Sequence, residues 1–166
     1  MSMELQRQVS RGLHEEHQAV LGLLDRFAGA LARLKAPPAA DDPVWRHLLV
    51  QLETAMQYEV TRHFALEEDQ IFPRLHAYGA GDLADMLFED HESIRPPAQS
   101  LIDLVGRARA GSLDAAGWRS LKACGMEVVD LLGSHARKEE ESLVPIVDEM
   151  LDEETDNALW IEYQAI

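Results

Sequence analysis

The sequence predicts an all-α fold, an up-down-up-down four-helix bundle with a short C-terminal helical tail. Three observations carry this. Apolar residues recur at helical spacing through four long stretches, and clusters of Gly, Pro and Asp punctuate the chain between them. Third, one spelling occurs twice. Glu15-Glu16-His17 and His63-Phe64-Ala65-Leu66-Glu67-Glu68, closed by Pro73, match Glu89-Asp90-His91 and His135-Ala136-Arg137-Lys138-Glu139-Glu140, closed by Pro145. The offset is 74 for the lone histidine and 72 for the His-x-x-x-Glu pair and its proline.

The first helix is expected from about Val9 to Lys35, with Leu13, Val20, Leu24, Phe27, Leu31 and Leu34 on one face. Ala36 to Pro43 reads as a linker. Asp42-Pro43 opens the second helix, since aspartate caps and proline suits the first turn. That helix is expected to stop near Phe72, because Pro73 disfavours helix in the residue before it. Tyr78 to Asp82 forms a turn with a cap, and the third helix starts at Leu83. Arg95-Pro96-Pro97 predicts a kink or break, because an interior proline loses a hydrogen bond and costs about 3 kcal/mol. Gly111-Ser112 separates the fourth helix, expected from about Leu113 to Leu143. An acidic tail follows, in which Asp148 to Asp156 reads as a solvated face and Ala158 to Ile161 as a segment able to pack across the bundle.

A height argument tests this layout. At 1.5 Å per residue, about 18 residues from His17 to the first helix end climb about 27 Å, and about 20 from Pro43 to His63 descend about 30 Å. The second hairpin and the middle connection close in the same way. Four histidines therefore meet at one level. His63 and Glu67 share a helix face, as do His135 and Glu139, whereas Glu68 and Glu140 turn about 100° away, to face outward or support the inner groups. His17, His63, Glu67, His91, His135 and Glu139 are the candidate metal ligands. Imidazole with carboxylate suits iron or manganese, and a carboxylate can bridge two ions. Thiolate zinc and iron–sulfur sites are excluded, since Cys124 is the only cysteine and reads as a core side chain.

At 166 residues, 46% hydrophobic, the chain fits one domain with its bundle core at about 10–147. A net charge of −15 argues against nucleic-acid binding. No apolar run spans a membrane, and residues 1–8 lack a secretory h-region, so a cytoplasmic protein is expected. No signalling domain is appended, so any output partner is expected to be a separate protein. His47 and His76 lack repeat partners and read as surface or core-edge residues.

Leu13-His14-Glu15-Glu16-His17 and Arg62-His63-Phe64-Ala65-Leu66-Glu67-Glu68 resemble the first two metal helices of the hemerythrin-like family, the HHE cation-binding domains. The resemblance implies a non-haem di-iron centre, oxo- or hydroxo-bridged, with manganese or zinc as possible substitutes. It implies that His17 and His63 serve one metal, His91 and His135 the other, and that Glu67 and Glu139 bridge them. The oxygen carriers of that family have another histidine four residues before the equivalent of His91, where this chain has Leu87. Two open positions would then favour oxidation or turnover over reversible carriage. His14, at metal height, is a weaker candidate for a fifth histidine; Glu59 is expected to support the ligands from behind, and Tyr58 is a weak candidate for lining the cavity. The implied small ligands are O2, NO or peroxide, in sensing, detoxification or iron handling, or in an oxidase or peroxidase. Ferritin-like chemistry fits poorly, because the chain contains no Glu-x-x-His.

Overall fold

The computed structural model describes residues 4–165; Met1–Met3, part of the stretch read above for a leader, lie outside them. Helix is the only regular secondary structure among the described residues. Helix α1 spans Gln8–Arg33, α2 residues 43–78, α3 Gly81–Arg109, α4 Ala115–Met150 and α5 Glu153–Gln164. Helix α1 packs on α4, α4 on α3 and α3 on α2, with a thinner contact between α1 and α2.

Two of the expected helix ends are wrong, and both involve a proline. Helix α2 passes Pro73 and ends at Gly79, whose φ of 98° suits a left-handed helix cap that only glycine adopts freely. The Ala80 N–H closes that cap on the Leu75 carbonyl at 2.8 Å. Helix α2 changes pitch twice on the way, with π turns at Glu59–His63 and Glu67–Ile71. Pro73 falls in the first turn after the second π turn, where the widened backbone leaves room for its ring and a missing N–H costs least. Helix α4 likewise runs through Pro145 to Met150, because Leu143, Val144 and Val147 are buried on both sides of it. The break expected at Pro96-Pro97 is also absent. Helix α3 is continuous there, anchored by buried Ile94, Ala98 and Leu101.

The apolar core falls into two clusters. One gathers Phe27, Leu52, Met56, Leu121 and Val128 with the edge-on pair Trp45 and Trp118. The other gathers Leu13, Ile71, Leu75, Leu87, Val147 and Leu159. The candidate ligands occupy the layer of chain between them.

The acidic tail is not simply a solvated face. Asp156 is 3% exposed, and its two oxygens accept from the backbone N–H groups of Gln8 and Val9 at 2.8 and 2.9 Å. Asp148 accepts from Gln6, Arg7 and the Ser10 hydroxyl. These carboxylates, distant in sequence, cap an α1 N-terminus whose own Arg7 provides no side-chain cap. Trp160 of α5 lies over Gly12, where a Cβ would stand 2.3 Å from the indole, so the tail packs across α1 as expected.

Replacing Asp156 with alanine removes both acceptors and should cost about 2 kcal/mol in urea unfolding. A loss of only a few tenths would show that water caps α1 equally well.

Candidate metal centre

The structure brings the six candidate residues together. Donor atoms of His17, His63, Glu67 and Glu139 lie within 4.8 Å of one another, as do those of Glu67, His91, His135 and Glu139. The two groups share both glutamates. All six side chains are buried. His17 Nε2 is 2.8 Å from Glu139 Oε2, and His135 Nε2 is 2.9 Å from Glu139 Oε1. Glu67 stands between His63 Nε2 at 3.2 Å and His91 Nε2 at 3.1 Å.

Each histidine is oriented from behind by a carboxylate on the preceding helix of the ring. Glu16 of α1 accepts from His63 Nδ1 at 2.7 Å, and Glu68 of α2 from His91 Nδ1 at 2.6 Å. Asp90 of α3 accepts from His135 Nδ1 at 3.1 Å, and Glu140 of α4 from His17 Nδ1 at 2.7 Å. The ring closes on itself, one bond per helix pair. Each outer carboxylate is the sequence neighbour of an inner residue. Phe64 fixes the plane of His91 by stacking on it, 3.7 Å between centroids.

With Nδ1–H committed outward, each Nε2 turns a lone pair inward, toward carboxylate oxygens that also only accept. His91 Nε2 and His135 Nε2 approach to 3.1 Å. His17 Nε2 and all four oxygens of Glu67 and Glu139 are buried without a hydrogen bond. Such a convergence of lone pairs needs cations or extra protons at its centre. The donor set, four imidazoles and two carboxylates with no thiolate, fits divalent iron, manganese or zinc.

Protons are the alternative occupant. Burial opposes charge on His17, but the Glu139 and Glu140 carboxylates more than offset it and lift its pKa to about 9. Burial likewise opposes charge on His63, yet Glu67 and Glu59 raise it well above the ordinary value. His135 is raised chiefly by Glu139, against the same opposition. Burial works to raise Glu139, but His135 and His17 hold it well below the carboxylate range.

The remaining expectations divide. Glu68 and Glu140 support the inner histidines, one of the two roles the helix geometry left open. His14 does not join either donor group; it is half exposed and pairs with Glu140 at 2.5 Å. Glu59 is buried outside both groups, its carboxyl raised by burial despite nearby His63 and His17. Tyr58 does not line the centre but donates to Glu16 at 2.6 Å. His47 and His76 are exposed, as expected. Cys124 is only half-buried, its Sγ 3.2 Å from the Pro97 carbonyl.

The supporting roles of Glu16 and Asp90 went unread, although both stand in the repeated spelling immediately before a candidate histidine. Lys138, which donates to Asp90 at 2.6 Å, and Arg95, which reaches Glu68 at 2.5 Å, carried no sequence signal.

A helical protein with paired buried His/Glu donor groups is thus defined on geometry alone. Over residues 8–147 the chain matches the Hemerythrin HHE cation binding domain, and it belongs to that family. Comparison with curated proteins finds no match. No helix among the described residues is long and apolar enough to cross a membrane.

Stability of the metal-free protein should follow these protons. A raised histidine pKa stabilises the fold fully below the ordinary value of 6.5, and that contribution fades as pH rises through about 9. The depressed carboxylates contribute above 4.5 and lose their contribution in acid. The thermal midpoint of metal-free protein should therefore be highest between those two ordinary values and fall from pH 6.5 to 9. A flat midpoint over that range would contradict protonated pairing.

Proposed function

We propose that this protein is a cytoplasmic di-iron protein that binds or reacts with O2, NO or peroxide, built on an up-down-up-down bundle. The sharing of Glu67 and Glu139 between two donor groups is the observation that carries this reading. His17 and His63 would hold one ion, His91 and His135 the other, and the two glutamates would bridge them. The bound ions would supply redox chemistry and Lewis acidity toward a small oxygen- or nitrogen-based ligand.

The chain's own residues set the conditions. The outer carboxylates keep each Nδ1 protonated, so Nε2 is the free donor and the ring is held in one orientation. The apolar cluster that holds Leu13, Leu75 and Leu87 excludes water from one side of the layer. Leu87, four residues before His91, is fully buried, as is Leu13 four before His17. Neither position offers a donor, so both ions would keep an open place. This equivalence favours a second reading, an oxidase or peroxidase, over a carrier in which only one ion is open.

Metal analysis with optical spectra before and after air and peroxide tests the proposal. Iron-loaded protein should hold two ions per chain; iron near zero after anaerobic loading would sink it. Glu67→Ala or Glu139→Ala should abolish magnetic coupling of the pair. Glu68→Ala should keep the pair but weaken affinity by about 10- to 100-fold. Equal effects from Glu67 and Glu68 would contradict the assigned faces.

Leu87→His should slow peroxide consumption, because a histidine one turn from His91 shares its face and would fill the open place. If two ions still bind and consumption is unchanged, Leu87 does not set reactivity.

A further inference from the structure

The four outer carboxylates differ in what holds them. Glu68 leans on Arg95, Asp90 on Lys138 and Glu140 on His14, a basic side chain in each case. Glu16 is met instead by two phenols. Tyr58 Oη lies 2.6 Å from Glu16, Tyr163 Oη 2.9 and 3.0 Å from its two oxygens, and the hydroxyls are 2.6 Å apart. Glu16 in turn accepts from His63 Nδ1 at 2.7 Å, so hydrogen bonds run unbroken from Tyr163 on α5 to a candidate ligand. Outward, the Trp160 ring stands 6.1 Å from that of Tyr163 and is partly exposed.

We propose that Tyr163 and Tyr58 form a redox relay, passing single electrons from the α5 surface to the His17–His63 half of the centre. Three oxidisable aromatic rings and a carboxylate base, in contact order from surface to imidazole, are the parts such a relay needs. The Arg62 guanidinium sits 5.2 Å from the Tyr58 ring and 5.5 Å from that of Tyr163. A cation there disfavours a positively charged phenol radical, so oxidation must release the proton as the electron leaves. The Glu16 carboxylate lies in hydrogen-bond reach to take it.

The inference rests on peroxide reacting at the centre. Hydrogen peroxide is the oxidant and takes two electrons and two protons to give two waters. In each one-electron step a phenol O–H becomes a neutral phenoxyl radical, its electron leaving toward His63 and its proton moving to Glu16 and out to solvent, while peroxide oxygen takes up one proton from solvent. A one-electron reductant such as ascorbate then returns an electron and a proton to the phenoxyl, twice per peroxide.

The test is rapid-freeze electron paramagnetic resonance of iron-loaded protein mixed with hydrogen peroxide. Wild type should show a phenoxyl signal that narrows when the protein carries ring-deuterated tyrosine. The double variant Tyr58→Phe/Tyr163→Phe should lack the signal, bind iron in full, and lose most ascorbate-dependent peroxide reduction. Trp160→Phe should keep the signal but slow its decay by ascorbate. Peroxide consumption without any phenoxyl signal overturns the relay while leaving the proposed function standing. Loss of iron or an altered optical spectrum in the double variant before peroxide is added would assign the phenols to positioning His63, and overturns it too. Wild type that consumes no peroxide removes the peroxide reaction on which the relay rests, and the relay with it. Ring deuteration labels exposed Tyr78 as well, so the single variant Tyr78→Phe must keep the signal; its loss there overturns the relay whether or not the double variant folds.

Discussion

Two carboxylates buried in an apolar bundle, with four imidazole lone pairs aimed at them, set the constraint that the rest of this molecule answers. Left alone, each buried charge would cost several kcal/mol and the group would neutralise. Positive charge must occupy the layer, either as protons on the histidines or as cations between them. The second is the better match to the geometry. Protons on Nε2 could satisfy some of the contacts, but the 3.1 Å approach of His91 to His135 leaves room for one proton at most between two rings. The fold also interrupts its apolar core at this level, dividing it into two clusters around the layer. A layer kept for packing alone would be better filled with leucine.

The π turns of α2 answer to the same constraint. A regular helix puts residues four apart about 40° out of line. The π turns Glu59–His63 and Glu67–Ile71 bracket the His63–Glu67 pair and change the local pitch on either side of it. A π turn is rare, and where it interrupts an α-helix it is frequently at a functional site. Helix α4 carries the matching pair, His135 and Glu139, without any π turn. The two halves therefore reach a similar donor geometry over different backbones, and the irregular one also absorbs Pro73.

What could be read from sequence follows from what repeats. Helical periodicity and the 72- to 74-residue duplication placed all six inner residues on facing helices, and the height argument needed only the rise per residue. Prolines misled, because Pro73, Pro96, Pro97 and Pro145 act against helix locally while buried neighbours such as Ile94, Ala98 and Val147 hold the helix from outside. Asp148 and Asp156 misled for a related reason. A run of acids reads as solvated unless one knows that an uncapped helix start lies beside it. Glu16 and Asp90 were visible in the repeat, but no spacing rule says which imidazole on the next helix a carboxylate will meet. Arg95, Lys138 and Tyr163 had no repeat to mark them.

The outer bonds decide how the halves depend on one another. Each helix orients the histidine of the next, from α1 to α2, α2 to α3, α3 to α4 and α4 back to α1. Two of these bonds stay within a repeat and two cross between repeats. Glu140 adjoins Glu139 in α4, yet the imidazole it steadies is His17 in α1. Glu68 adjoins Glu67 in α2 and steadies His91 in α3. Neither repeat can complete its own pair of histidines, so half of the chain would present an inner donor set with one ring unheld on each side. The duplication is thus closed by exchange. A shift of α4 against α1 would move His17 directly through Glu140. At Glu16 the ring acquires a fifth member, α5, through Tyr163. The C-terminal helix therefore reaches His63 by hydrogen bonds through Glu16, an attachment with no counterpart at Asp90, which Lys138 holds instead.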